Sequence, residues 1–367
     1  MMKKISILLA LLLLFTSFTA CSSPVTATPT TTAAAPATGS GTTAPATPAT
    51  GEVFHLKFAH SVAETHVIHD TALLLKKLLE EKSGGRITMD VFGSAQLGAD
   101  RETLEGMQRG DIAFTCVNVS PIVMFVPEFA IFDLPFLIPA KEDIGDTMRT
   151  ANEIFDGPAG RAILDTLDSR GLIGHKFFAA GGYRELTANK AIHTLEDLKG
   201  LKVRTMENKN HIDMWKALGA NPTPMALSEL FTALEQNTVD GEENPYDLIY
   251  TQKFYEVQKY IINTNHIFNA GCIPISKAIY NSMPEDLQLV VMESLDEAME
   301  FLRQGYIDNC TEFYNILDAE VEIIDLEQSE MDRMKEATAS VWDSVRASVG
   351  NDALIDGLLG EIDKAFQ

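Results

Sequence analysis

The sequence predicts an α/β protein of about two domains, and three observations carry that expectation. From residue 54 onward, runs with apolar residues at every second position alternate with runs of helical spacing, the pattern of strands and helices laid down in turn with largely parallel pairing. The chain has 367 residues, room for about two domains of roughly 100–200 residues each. One apolar pattern of helical spacing continues from 283 to 320. At 1.5 Å per residue it spans on the order of 50 Å, longer than one small domain is wide.

The elements follow in order. "FHLKFAH" places Phe54, Leu56 and Phe58 on one strand face, and "DTALLLKKLLEEKSGG" is an amphipathic helix stopped by Gly84 and Gly85. "RITMDVF" is a strand with Ile87, Met89 and Val91 inward, "ADRETLEGMQRGD" a helix with Asp100 as its expected N-cap, and "IAFTCVNV" a buried strand. A second set starts at "HKFFAAGGYRELT", where Gly181 and Gly182 mark a turn or a crossing. It continues with a short helix "LEDLKG", the strand "LKVRTM", a helix "NHIDMWKALG" ending at Gly219, and the turn-rich "ANPTPM". The helix "SELFTALEQN" and the stretch "TVDGEENP" follow, then a further helix from Pro245. Pro284 suits the first turn of the long helix, whose pattern is interrupted only by Gly305.

The amino terminus reads as a targeting segment. Lys3 and Lys4 precede an apolar stretch from Ile5 to Phe18, too short to span a bilayer that needs roughly 20 residues. It ends "SFTAC", similar to a bacterial lipobox that makes Cys21 the lipidated first residue of the mature protein, although Phe18 stands where that pattern usually has leucine. Residues 22–51 are rich in Thr, Ala and Pro, a composition that builds no core and reads as a disordered tether. Cys116, Cys272 and Cys310 remain, with neither metal-like nor CxxC spacing, and are expected as isolated buried thiols. The formal net charge of −23 argues against a nucleic-acid partner.

Catalytic signatures are missing: there is no G-x-S-x-G, H-E-x-x-H, G-x-x-x-x-G-K-[ST] or G-x-G-x-x-G. His60, Glu64, His66, His69 and Asp70 cluster in "AHSVAETHVIHD", but their spacing fits no standard zinc scheme and reads as pocket-lining or surface loop. Neither a metal nor a cofactor is expected. Arg204 in "GLKVRTMEN" carries more information, because it stands at the carboxyl end of a strand, where α/β proteins bind ligands. Its planar fork suits a carboxylate; the competing role is a salt bridge to Glu207 or Glu243. Arg184, after the Gly-Gly pair, faces a cleft on the same reasoning. Asn244 in "VDGEENPYD" is expected as an N-cap with Pro245 at the first helical position, a place that also favours an anion. His266 in "NTNHIFN" reads as a core histidine or one that supports a ligand contact.

The stretch "LKGLKVRTMENKNHIDMWKALGANPTPMALSELFTALEQNTVDGEENP", with "QKFYEVQKYIINTNHIF", "MPEDLQ", "SAQLGADRE" and "PEFAIFDLPFL", resembles the solute-binding proteins of tripartite ATP-independent periplasmic (TRAP) transporters, dicarboxylate-binding type. The resemblance runs from about residue 54 to the end. It implies a two-lobed periplasmic-binding-protein-like fold with hinge segments and a long helix across both lobes, divided as 52–181 plus 270–309 and 182–269 plus 310–367. It implies a small organic acid held between the lobes, closure around it, and delivery to the small and large membrane subunits of a permease. Arg204 would pair with the carboxylate, and Arg184 and Asn244 would reach ligand. Leu227 stands where some members place an aromatic residue, and the first lobe adds Glu64, His66, Arg101 and Asn118, with Glu207 and His266 near the site.

The leading expectation is therefore a lipid-anchored, monomeric, extracytoplasmic binding protein for a sugar acid such as a hexuronate, with C4-dicarboxylates or keto acids as the alternative. Two other classes compete: an enzyme, for which the sequence offers no convincing nucleophile–base pair, and a sensory or adhesive surface lipoprotein, for which the tether speaks.

Overall fold

The computed structural model describes residues 51–367; the signal segment, Cys21 and nearly all of the proposed tether lie outside the described residues. Twelve strands, numbered in chain order, are β1 Phe54–Ala59, β2 Ile87–Phe92, β3 Phe114–Thr115, β4 Val117–Asn118, β5 Leu172–Ile173, β6 Phe177–Ala188, β7 Lys202–Thr205, β8 Asn221–Pro224, β9 Gly241–Asn244, β10 Tyr260–Cys272, β11 Ile275–Ser276 and β12 Glu322–Asp325. They form two sheets. One has the order β2-β1-β3-β11-β5, the other β12-β10-β6-β9-β7-β8, with β4 on the side of β10.

The expectation of largely parallel pairing needs correction. β1 runs parallel to β2 and β3, and β7 to β8 and β9. The second sheet, however, is built around the long strands β6 and β10, which are antiparallel to each other, and β6 is antiparallel to β9. Local periodicity marks a strand but not the direction of its partner.

Gly181 and Gly182 do not make a turn. Both lie inside the continuous strand β6 with φ of +80° and +86°, so the strand bends there without ending. A Cβ on Gly181 would lie 2.3 Å from Asp247 Oδ1, so the close approach also demands glycine. "NPTP" is the strand β8 rather than a turn; as the outermost strand of its sheet it tolerates two prolines.

The long helix, Glu285–Glu320, forms as expected over 36 residues. It lies against the helix Val67–Lys82, against β6 and against the short helix Tyr246–Thr251. Gly305 is explained by this crossing: a Cβ there would meet Val67 Cγ2 at 2.5 Å. Arg303 fixes the helix further along, donating to both carboxylate oxygens of Asp156 at 2.7 Å and to the Phe177 carbonyl. Leu295, Met299 and Leu302 are shut away from water on the same face, each such side chain stabilising by roughly 1.5–3 kcal/mol.

Candidate functional site

A cleft of about 90 Å³ lies where the two sheets meet. Arg204 ends β7 and is buried, its Nε and Nη2 donating to the Met225 carbonyl at 3.0 and 2.8 Å. That carbonyl belongs to the turn after β8, so the guanidinium is aimed by the neighbouring strand. Neither Glu207 nor Glu243 pairs with it, and among the described residues Nη1 makes no hydrogen bond. Burial pulls the Arg204 pKa down to about 10, against the pull of Glu243 and Glu242, which leaves it charged at neutral pH.

Arg184 faces the same cleft but is already committed. Its Nε donates to Glu243 Oε2, Nη2 to Glu243 Oε1 at 3.1 Å and to Asn244 Oδ1 at 2.9 Å, and Nη1 to Asn269 Oδ1 at 3.0 Å. Glu243 is also held by His266 Nε2 at 3.1 Å and approached by His211 Nδ1 at 3.6 Å. The chain of contacts continues through His211 to Asp133 at 3.2 Å, which accepts from Ser120, Asn208 and Asn210. Burial alone would raise the Glu243 pKa, but Arg184 and the two histidines hold it well below the usual carboxylate range. His211 moves the other way: burial would lower it, and Asp133 with Glu243 outweighs burial and raises it.

Of the ten residues expected near ligand, seven line this cleft: Arg204, Arg184, Asn244, Arg101, Asn118, Glu207 and Leu227. Arg101 and Glu207 are exposed, at its rim, with Arg101 paired to Glu105 at 3.1 Å. Three do not line it. Glu64 is exposed and lies 3.5 Å from Gln96 Nε2. His66 is buried as the N-cap of the helix Val67–Lys82, Nδ1 accepting from the Ile68 N–H and Nε2 bonded to Asp247 at 2.7 Å. His266 lies behind Glu243, packed against Trp215.

Two cap assignments change. Asn244 is the last residue of β9, not a cap; Pro245 takes the cap position, and the Asn244 side chain bridges Glu242 and Arg184. Asp100 is the first helical residue of Asp100–Arg109, with Ala99 as cap. Its carboxyl lines the cleft, and burial raises its pKa while Ser61 and Arg204 pull it down. Asn269 was also missed: its amide accepts from Arg184 and Asn118 and donates to the Ala180 carbonyl at 2.8 Å, joining β4, β6 and β10 at the cleft floor. Tyr306 of the long helix and the buried thiol Cys116 complete that floor.

Glu242, buried beneath Asn244, gives a pH prediction. Burial pushes its pKa from 4.5 up to about 7. A raised acid contributes stability that is fully present below its unfolded value and is lost as pH rises through the folded one. The free energy of urea unfolding of the wild type is expected to fall between about pH 5 and 8, by on the order of 2–3 kcal/mol from this residue at ~1.36 kcal/mol per unit. In Glu242→Gln the fall should be shallower; an identical pH profile would remove Glu242 as its source.

Residues 58–348 match the family of bacterial extracellular solute-binding proteins, family 7 (DctP). The chain belongs to this family. Its members are the solute-binding proteins of TRAP transporters, found outside the cytoplasm, and they bind solutes rather than transform them. A solute-binding protein of Verminephrobacter eiseniae is 41% identical over 209 residues, covering 57% of this chain and 60% of that relative. The sugar acid binding protein DctPAm of Advenella mimigardefordensis, solved with galactonate, superposes with a TM-score of 0.80 at 30% identity, covering 86% of this chain and 99% of that one. A TRAP periplasmic solute binding protein from Shewanella oneidensis, solved with succinate, gives 0.78 at 28% identity, covering 84% and 99%. The two-lobed α/β architecture is thus that of the family.

Proposed function

We propose that this chain captures a sugar acid, a six-carbon monocarboxylate such as a hexuronate or hexonate, in the cleft and hands it to a TRAP permease. One observation carries the choice of ligand: among the described residues Arg204 is the buried guanidinium of the cleft with no carboxylate partner, while Arg184 is neutralised by Glu243 and Arg101, exposed at the rim, is paired with Glu105. A single carboxylate pairs with Arg204. A second one would meet the carboxyls of Asp100 and Glu207, which also line the cleft, and like charges at short range cost affinity. Those groups, with Asn118 and Asn269, suit the hydroxyls of a polyol chain instead. The galactonate-bound Advenella relative supports this reading; the succinate-bound Shewanella relative is the competing case.

The finer organisation belongs to the same proposal. Cys21 carries lipid, residues 22–51 hold the body off the membrane as a tether, and the protein acts as a monomer. Lobe I is 52–181 plus 270–309 and lobe II is 182–269 plus 310–367, hinged where the long strands cross.

Titration calorimetry with galactonate, gulonate, galacturonate and succinate tests the ligand class. A sugar acid should bind at least tenfold more tightly than succinate, and the reverse order would overturn the proposal. Asp100→Asn should narrow the gap from both sides, weakening the sugar acid and admitting succinate. An unchanged ratio would mean that Asp100 sets no selectivity.

A further inference from the structure

Side chains alternate across a strand, so Glu185 points to the face of β6 opposite Arg184. There it lines a second cavity of about 360 Å³, together with Lys141, Glu142, Asp143, Tyr246, Asn263 and Tyr314. That volume is within the range of small-molecule sites, roughly 300–1,000 Å³. The cavity borders an irregularity in β10: pairing with β6 shifts between Ile262 and Ile267, Asn265 adopts a left-handed φ of +45°, and Asn263 and Asn265 both line the cavity.

Glu185 is only 3% exposed. The Asn265 N–H donates to its Oε2 at 2.8 Å, and Thr264 Oγ1 lies 3.5 Å from the same oxygen. Oε1 accepts no hydrogen bond among the described residues. Among the described residues no cation neutralises it, because the lysine of the lining, Lys141, donates to Thr150 at 2.7 Å and sits over the Phe366 ring at 5.2 Å. Two rings stand beside the acid as walls of a corner: Tyr246 and Tyr314, centroids 5.2 Å apart and planes at 72°. The Tyr246 hydroxyl is fixed by Asn263, which is in turn held by Asp325 at 2.7 Å.

A buried carboxyl with one free oxygen, two aromatic faces at an angle and an excess of acid in the lining form a receptor for positive charge. Metal coordination is the poorer fit, since among the described residues no three acidic, His or Cys side chains converge. We propose that this cavity is a second binding site, taking a small organic cation with an ammonium head, primary to quaternary. Without such a ligand, burial pushes the Glu185 pKa up to about 8, so an arriving cation would restore the charge that burial suppresses.

The test is titration calorimetry with choline and with ethanolamine at fixed ionic strength, sodium chloride serving as the control cation. One of the two amines should bind saturably at one site per chain, and sodium should not. Glu185→Gln should weaken that binding at least tenfold. Tyr314→Ala, a change on a partly exposed helical residue, should weaken it severalfold. Circular dichroism checks that Glu185→Gln folds; if it does not, Tyr314→Ala alone decides. No saturable binding of either amine in the millimolar range overturns the proposal. So does binding that Tyr314→Ala leaves unchanged, which would be the signature of loose association with an acidic surface.

Discussion

Replacing Arg204 by alanine is expected to remove useful binding of galactonate while the fold survives. The guanidinium is buried and keeps Nη1 without a partner among the described residues. It therefore supplies the charge-assisted bonds that a carboxylate would otherwise take from water. Losing one partner of such a pair costs roughly 2–5 kcal/mol, about 30-fold to several-thousand-fold in affinity. The variant also frees the Met225 carbonyl. Because Met225 lines the cleft, water can replace the lost donors, which keeps the stability cost to about 1 kcal/mol. Arg204→Lys is the sharper probe. Its single ammonium cannot hold the Met225 carbonyl and present a planar fork at once, so it should bind far more weakly than wild type despite an unchanged charge. Calorimetry showing wild-type affinity in Arg204→Ala would move the carboxylate elsewhere in the cleft.

The position of Arg204 in the cleft was legible because α/β proteins open their clefts at strand ends, and nine residues of sequence suffice to recognise a strand end. Arg184 was expected to face the cleft, and it does, yet its charge is spent on Glu243, a partner 59 positions away that antiparallel pairing of β6 with β9 brings alongside. Pairing direction leaves no trace in local periodicity, so the same ignorance hid Asn269 at the cleft floor. Asp100 was hidden by a different ambiguity. An acid ahead of a helix has the same sequence signature whether it caps the first turn or stands at the first helical position with its carboxyl turned into a cleft. The long helix, by contrast, was readable almost to the residue, since helical spacing sustained over 36 residues with Gly305 as its one interruption fits a single long helix. The second cavity had no signal at all: it borders a register shift between β10 and β6, a feature set by tertiary pairing.

The largest effect on stability should come from Glu243. It is fully buried between Arg184, His266 and His211, and Glu243→Gln would keep its shape while removing its charge. Arg184 would then be a buried cation facing an amide. Breaking a buried pair in this way costs roughly 3–5 kcal/mol, a large part of the 5–15 kcal/mol by which a domain is typically stable. The wild-type contribution has a defined pH window. With its folded pKa held well below 4.5, Glu243 stabilises fully above about pH 4.5 and loses that stabilisation only as pH falls through the folded value. Urea unfolding at neutral pH should show the loss. Adding Arg184→Gln to Glu243→Gln should restore part of it, because the pair then disappears together and leaves no lone charge. A double-mutant cycle separates that coupling from simple loss of packing. If Glu243→Gln unfolds within about 1 kcal/mol of wild type, or if the second change adds its full cost to the first, then the pair is not what holds the cleft floor, and Asn244 and Asn269 must orient Arg184 by themselves.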